Sequence, residues 1–160
     1  MEARMNNPLV SVPGAMSAMY ALGKAASRSS LPQSTINLVH LRVSQINGCS
    51  VCVDIHSRDM KKAGESEERI FLASAWREAP YFTDAERAAL DLAEAMTRLS
   101  DRTDPVTDAI FAEAASHFDQ ESLAALIIQI AAINVWNRVN VATRQPAGEW
   151  TGSVSEDKAS

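Results

Sequence analysis

The sequence predicts an all-α protein with about six to seven helices, and three observations carry that reading. Helix breakers are sparse: 6 Gly and 6 Pro make 12 of 160 residues, below the usual combined share of about 12%. Alanine, the strongest helix former, occurs 26 times. Apolar residues recur at helical spacing between recognisable caps, with no repeat and no strand-like alternation long enough to count.

Each element follows from its own signals. Residues 1–14 read as a loose lead-in, because Pro8 and Pro13 limit helix there. A first helix covers about Ala15 to Arg28, with Met16, Met19, Tyr20 and Leu22 in pattern. Ser29, Ser30 and Pro32 mark a break and a restart, since proline is tolerated in a first turn. The next helix runs to about Ile46, and its wide apolar surface (Ile36, Leu38, Val39, Leu41, Val43) predicts burial on more than one side. Asn47-Gly48 signals a turn. A helix then covers about Ser50 to Ala63, with Gly64 as its left-handed terminator.

Ser66 caps a helix of about Glu67 to Arg77, which Ala79-Pro80 closes. Thr83 and Glu86 form a capping box opening a helix to about Leu99. Asp104-Pro105 predicts the start of a short helix to about His117. Asp119 caps the longest helix, about Gln120 to Thr143, whose centre is apolar nearly all round. The domain is thus expected over residues 15–145, with 146–160 as a mobile tail. So apolar a helix in so small a domain predicts a homo-oligomer, with this helix or the N-terminal one at the interface.

Composition excludes several functions. Fifteen basic against twenty acidic residues give a net charge of −5, the wrong balance for nucleic-acid binding through clustered positive charge. No run approaches the roughly 20 apolar residues of a membrane span, and no basic-then-apolar leader is present. Two cysteines, Cys49 and Cys52, are too few and too close for a secreted disulfide scaffold. The expected location is cytoplasmic, where a single CxxC reads as redox or metal chemistry.

The chemistry concentrates in Cys49-Ser50-Val51-Cys52-Val53-Asp54-Ile55-His56. In a helix starting near Cys49, the two cysteines share a face at i, i+3, and Cys52 shares it with His56 at i, i+4. Both sulfurs then lie in the first turn, where free N–H groups and the helix dipole favour a thiolate. His56 is placed to take the proton of Cys52, and a second thiol can close a disulfide onto it. A zinc site would need a fourth ligand from His40 or His117, neither at finger-like spacing. Two cysteines buried by chance remain the plain alternative.

His40, one turn from Asn37, reads as a polar interface residue, with a place facing the thiols as the alternative. His117 reads as a partner of a helix C-terminus. Asp54, Asp59 and the run Lys61 to Arg69 read as solvated surface. Trp136, Asn137 and Arg138 form either a polar seam at an interface or part of a lid on the core.

The segment from Leu38 to His56, the following Lys62-Ala63-Gly64-Glu65, and Ile133-Asn134-Val135-Trp136-Asn137-Arg138 together resemble the alkylhydroperoxidase D family of the carboxymuconolactone decarboxylase superfamily. The match is dense over about residues 36–65 and weaker to about 145. The resemblance implies an all-α fold, trimers or hexamers, and thiol-dependent reduction of hydroperoxides with no bound cofactor. It also implies that Cys52 forms the sulfenic acid, that Cys49 resolves it, and that His56 is the site histidine. The electrons would come from an external dithiol donor.

The family usually carries a glutamate twelve residues before the first cysteine, where this chain has Asn37. An amide cannot accept a proton, so Asn37 and His40 mark where a relay departs from the family pattern. Loss of that carboxylate leaves two further readings open: a disulfide reductase serving a partner peroxidase, and a non-enzymatic redox-sensing or scaffold oligomer. The decarboxylase branch lacks the CxxC, which argues against decarboxylation.

Overall fold

The centre of the computed structural model, which describes residues 2–148, is a pair of buried helices, α3 (Gln33–Ile46) and α8 (Gln120–Thr143). Helix α3 is buried on two sides. Ile36, Val39 and Val43 face Leu92, Leu126, Ile130 and Ile133 in one core cluster, while Leu38 and Leu41 pack with Met60, Trp76, Phe82 and Leu90 in a second. Helices α1 (Pro8–Ser11) and α2 (Ala15–Ala26) lead in, and α2 packs along α8. Helix α4 (Ser50–Lys62) returns against α3. Helix α5 (Glu67–Leu72) is followed by α6 (Asp84–Thr97) and α7 (Asp108–His117). The described residues contain eight α-helices, two 3₁₀ turns and no strand, so the all-α reading stands.

The caps act where the sequence placed them. Ser66, Thr83 and Asp119 each accept a backbone N–H of the first turn, and Thr83 with Glu86 closes the capping box. Glycine is required at Gly48 and Gly64, with φ of +66° and +86°.

Four boundaries differ. The chain between Arg102 and Thr107 is not helical, and α7 starts at Asp108 with Thr107 as its cap, accepting from the Ile110 N–H at 3.3 Å. The bend turns Val106 onto the core, which outweighs the Asp104-Pro105 start signal. Helix α5 tightens into a 3₁₀ turn at Ala73–Ala75. That turn carries Trp76 into the core, where its indole N–H donates to Glu94 at 2.9 Å. Helix α6 ends at Thr97 rather than Leu99, and the Thr97 hydroxyl is taken by the Ala93 carbonyl and the Asn134 amide.

The fourth difference is the N-terminus, which is not loose. Asn7 caps α1 by accepting the Leu9 N–H at 2.9 Å. Arg4 donates to the carbonyls of Thr143 and Ala142, and Gln145 donates to Met5. Residues 4–11 thus form a strap over the C-terminal end of α8. Of the expected tail, 149–160 lie outside the described residues.

One surface assignment also changes. Arg69 is not solvated: it pairs with Glu65 and Glu86, each at 2.5 Å, and also donates to the Tyr81 carbonyl. Glu94 is buried with Arg42 at 2.6 Å. Burial pushes its carboxyl up, but hydrogen bonds from Trp76 and Arg42 and the charges of Arg42 and Arg77 hold it below the usual carboxylate range.

Helix α8 has the length and mean hydropathy (1.4) of a membrane span, which the sequence reading had denied to every segment. Half of its 24 residues are buried inside the bundle, and its buried side includes Gln129, Asn134, Asn137 and Asn140. Here it is the core helix of the bundle.

Candidate active site

The turn between α3 and α4 places the cysteines. Gly48 N–H bonds the Gln45 carbonyl at 3.3 Å and Cys49 N–H bonds the Ser44 carbonyl at 3.0 Å. This pair of hydrogen bonds across a left-handed glycine closes the end of α3 and aims the chain into α4. Asn47 then ties the turn to α8, donating to Asn134 at 3.0 Å and Asn137 at 2.9 Å. Asn137 is fully buried and donates to the Ser44 hydroxyl at 3.1 Å. It belongs to the core seam, and sequence spacing alone did not distinguish that from an interface.

Cys49 is the N-cap of α4 and Cys52 lies in its first turn. The two are joined as a disulfide, with Cα atoms 5.3 Å apart. Both are buried, at 1% and 3% exposure, and pack with Val51 and Ile55. The first-turn position directs backbone N–H groups and the positive end of the helix dipole toward Cys52.

Cys52 opens onto a cleft of about 980 Å³ between α2, α3, α4 and α8. Its lining includes His40, His56, Gln129, Asn140, Tyr20 and Trp136. His56 enters as the i, i+4 spacing predicted, one turn beyond Cys52. His40 also faces this cleft, which corrects its reading as an interface residue: the rings of His40 and His56 lie 5.0 Å apart, and His40 Nε2 meets Gln129 Oε1 at 3.1 Å. Burial lowers His40 to about 4, against the raising effect of Gln129. Burial and then the neighbouring His40 lower His56 to about 3. Both imidazoles are therefore neutral at pH 7, each with an unprotonated ring nitrogen, and are weak bases until a negative charge such as a thiolate beside them favours the protonated form.

Asn37 is placed otherwise. Its side chain accepts from Gln33 at 2.8 Å, and the α3 residues lining the cleft are Gln33, Ile36 and His40. The polar atom that meets the sulfur is one the sequence reading missed: Asn140 Nδ2 donates to Cys52 Sγ at 3.3 Å. Its signal was available, since Gln129, Ile133, Trp136 and Asn140 recur at helical spacing on α8, with two amides in an apolar helix. Tyr20 and Trp136, 5.7 Å apart between ring centroids, form an aromatic wall. Among the described residues no His, Cys, Asp and Glu group has the arrangement of a metal site.

The chain is similar to several known proteins in sequence and fold. The sequence pattern of the carboxymuconolactone decarboxylase family matches residues 13–95. The uncharacterised YdfG protein of Bacillus subtilis (strain 168) is 37% identical over 130 residues, covering 81% of this chain and 87% of that one. A solved structure from Agrobacterium tumefaciens superposes with a TM-score of 0.84 at 36% identity, over 91% of this chain and 98% of that one. It is described as of unknown function and provisionally as the antioxidant defence protein AhpD. The debrominase Bmp8 shares the fold at 21% identity, with a TM-score of 0.75 over 86% of this chain and 73% of that one. By sequence, by the arrangement of its helices and by its cysteine pair, the chain belongs to the carboxymuconolactone decarboxylase family and has the alkylhydroperoxidase D-like fold.

Proposed function

We propose that the protein is a thiol-dependent hydroperoxide reductase in which Cys52 attacks, Cys49 resolves and His56 moves the proton. The observation that supports it best is the Cys49–Cys52 disulfide at the edge of a large, partly apolar cleft that also holds two neutral imidazoles. The likeness to the provisionally assigned antioxidant protein agrees with it.

In the reduced protein, His56 takes the Cys52 proton. The thiolate sulfur gives an electron pair to a peroxide oxygen, an S–O bond forms and the O–O bond breaks. The departing alkoxide takes the proton back and leaves as an alcohol. Cys49, as thiolate, attacks the sulfenic sulfur, so that an S–S bond forms and hydroxide leaves, protonated to water. An external dithiol returns two electrons and two protons by thiol–disulfide exchange. The aromatic wall of Tyr20 and Trp136 favours an organic hydroperoxide over hydrogen peroxide, because it offers apolar area that only an organic body can cover.

The test is peroxide consumption by the reduced protein, with organic and inorganic peroxides and several dithiol donors. Multiple turnovers that vanish in Cys52→Ser are expected. Disulfide turnover without peroxide loss would replace this reading with a disulfide reductase, and neither activity would reject an enzyme of this class.

A further inference from the structure

We propose that Asn140 is the hydrogen-bond donor that stabilises the Cys52 thiolate of the reduced protein, and that Asn7 is the positioning residue that orients it. The inference rests on Cys52 being the attacking thiol, as proposed above.

The argument is one of hydrogen-bond polarity. An asparagine side chain can present either its amide N–H₂ or its oxygen to the sulfur. The Leu9 backbone N–H can only donate, and it is accepted by Asn7 Oδ1 at 2.9 Å. Asn7 must therefore point its Nδ2 away, and that atom donates to Asn140 Oδ1 at 2.9 Å. Asn140 in turn is left with its Nδ2 on Cys52 Sγ, at 3.3 Å. Asn7 and Asn140 are both buried, at 7% and 8% exposure. Reversing either one would set donor against donor, a costly arrangement away from water. A chain of fixed polarity thus runs from α1 to the sulfur, and it ends on a donor.

A hydrogen bond to the charged form of a group lowers its pKa. The surroundings leave room for this effect. The titratable side chains near Cys52 are Cys49, His56 on α4 and His40 on α3, and both histidines are neutral at pH 7. The charged residues of the cleft are Lys24 on α2 and Arg58, Asp59, Lys61 and Lys62 on α4, all exposed at its mouth. Asp54 is engaged by Arg58 and the Gly148 N–H, and Arg4 on the strap by carbonyls of α8. Among the described residues the cations lining the cleft stand exposed at its mouth, so the Asn140 donor and the first turn of α4 are what favour the thiolate. The strap of residues 4–11 is then part of the site.

The test reads the acidity of Cys52 from its alkylation rate against pH, in a Cys49→Ser background so that one thiol reports. Asn140→Leu keeps similar volume without a donor, and it should raise the Cys52 pKa by roughly one unit, a tenfold loss of thiolate below the pKa. Asn140→Ser retains a hydroxyl donor and should recover part of the shift. Asn7→Ala frees the Asn140 amide and should give a smaller rise. A pKa within about 0.3 unit of the parent in folded Asn140→Leu overturns the proposal. An unmoved pKa in Asn7→Ala beside a raised one in Asn140→Leu removes Asn7 from it. Should Asn140→Leu not fold, Asn140→Ala, which also lacks the donor, decides on the same criterion. Because alkylation needs no peroxide, failure of peroxide turnover leaves this measurement intact.

Discussion

Cys49 and Cys52 differ by three positions, and that offset assigns them different environments. Cys49 is the cap of α4, whereas Cys52 sits inside the first turn and lines the cleft that the histidines also line. The roles should separate on substitution. Cys52→Ser is expected to abolish peroxide consumption, while Cys49→Ser should permit one turnover and then accumulate oxidised Cys52. Mass spectrometry of Cys49→Ser after peroxide should show one to about three added oxygens, as sulfenic acid passes to higher acids. An unmodified Cys52 would count against it as the attacking thiol.

The histidines carry a second prediction at this scale. In the fold, His40 and His56 are lowered from 6.5 to about 4 and about 3. Between those values and 6.5 the unfolded chain binds protons that the folded chain does not. Their contribution to stability is therefore complete above pH 6.5 and is lost as pH falls toward 4. The melting temperature should drop by roughly 7–15 °C from pH 7 to pH 5. The double variant His40→Gln/His56→Gln should flatten that slope. Glu86 and Glu94 are held below 4.5, so their losses begin at lower pH and do not mask the effect.

Among the elements, α8 carries the most information. Its apolar residues build one core cluster, but Gln129, Asn134, Asn137 and Asn140 on its buried side reach Gly23, Thr97, Ser44 and Cys52 respectively. These amides fix the register of α8 against α2, α6, α3 and α4, which an apolar surface alone would leave free to slide. Asn137→Leu would remove one acceptor from the Asn47 amide and one donor from the Ser44 hydroxyl, which keep Asn134 and the His40 carbonyl as partners. A loss of about 1–3 kcal/mol by urea denaturation is expected, since a typical hydrogen bond contributes about 0.5–1.5 kcal/mol and two are lost. For comparison, Thr83→Ala, which removes only the capping box of α6, should cost about 1 kcal/mol.

For the molecule as a whole, the fate of the long helix decides assembly. Helix α2 covers part of α8, so the chain buries within itself much of the surface that the sequence assigned to an interface. What remains is narrower: Ile128, Val135 and Val141 on α8 and Tyr20 and Leu22 on α2 stay 38–45% exposed. Homo-oligomer formation, as trimers or hexamers, stays a proposal on this smaller surface. Light scattering coupled to size exclusion should give a mass near three or six times 17.3 kDa. Val135→Glu is expected to lower it, because association would bury the added charge. A mass of one chain at micromolar concentration rejects assembly.

Much of this was legible in the chain itself, because the interactions concerned are local. Thr83 with Glu86 and Asp119 act on backbone groups within one turn, and Gly48 is needed wherever a helix ends in a left-handed residue. The CxxC-x₃-H spacing brought Cys49, Cys52 and His56 to one face by helical period alone. Tertiary structure decided the rest, since it depends on residues far apart in sequence. Local propensity started a helix at Asp104-Pro105, and the pull of Val106 into the core moved it to Asp108. His40 turns to the cleft because Gln129, 89 positions on, receives it there. Asn140 meets Cys52 across 88 positions, oriented by an Asn7 that lies 133 away from it. No sequence period relates such residues. They meet because α3 and α8 share a core, and a buried amide must find its partner wherever that packing puts one.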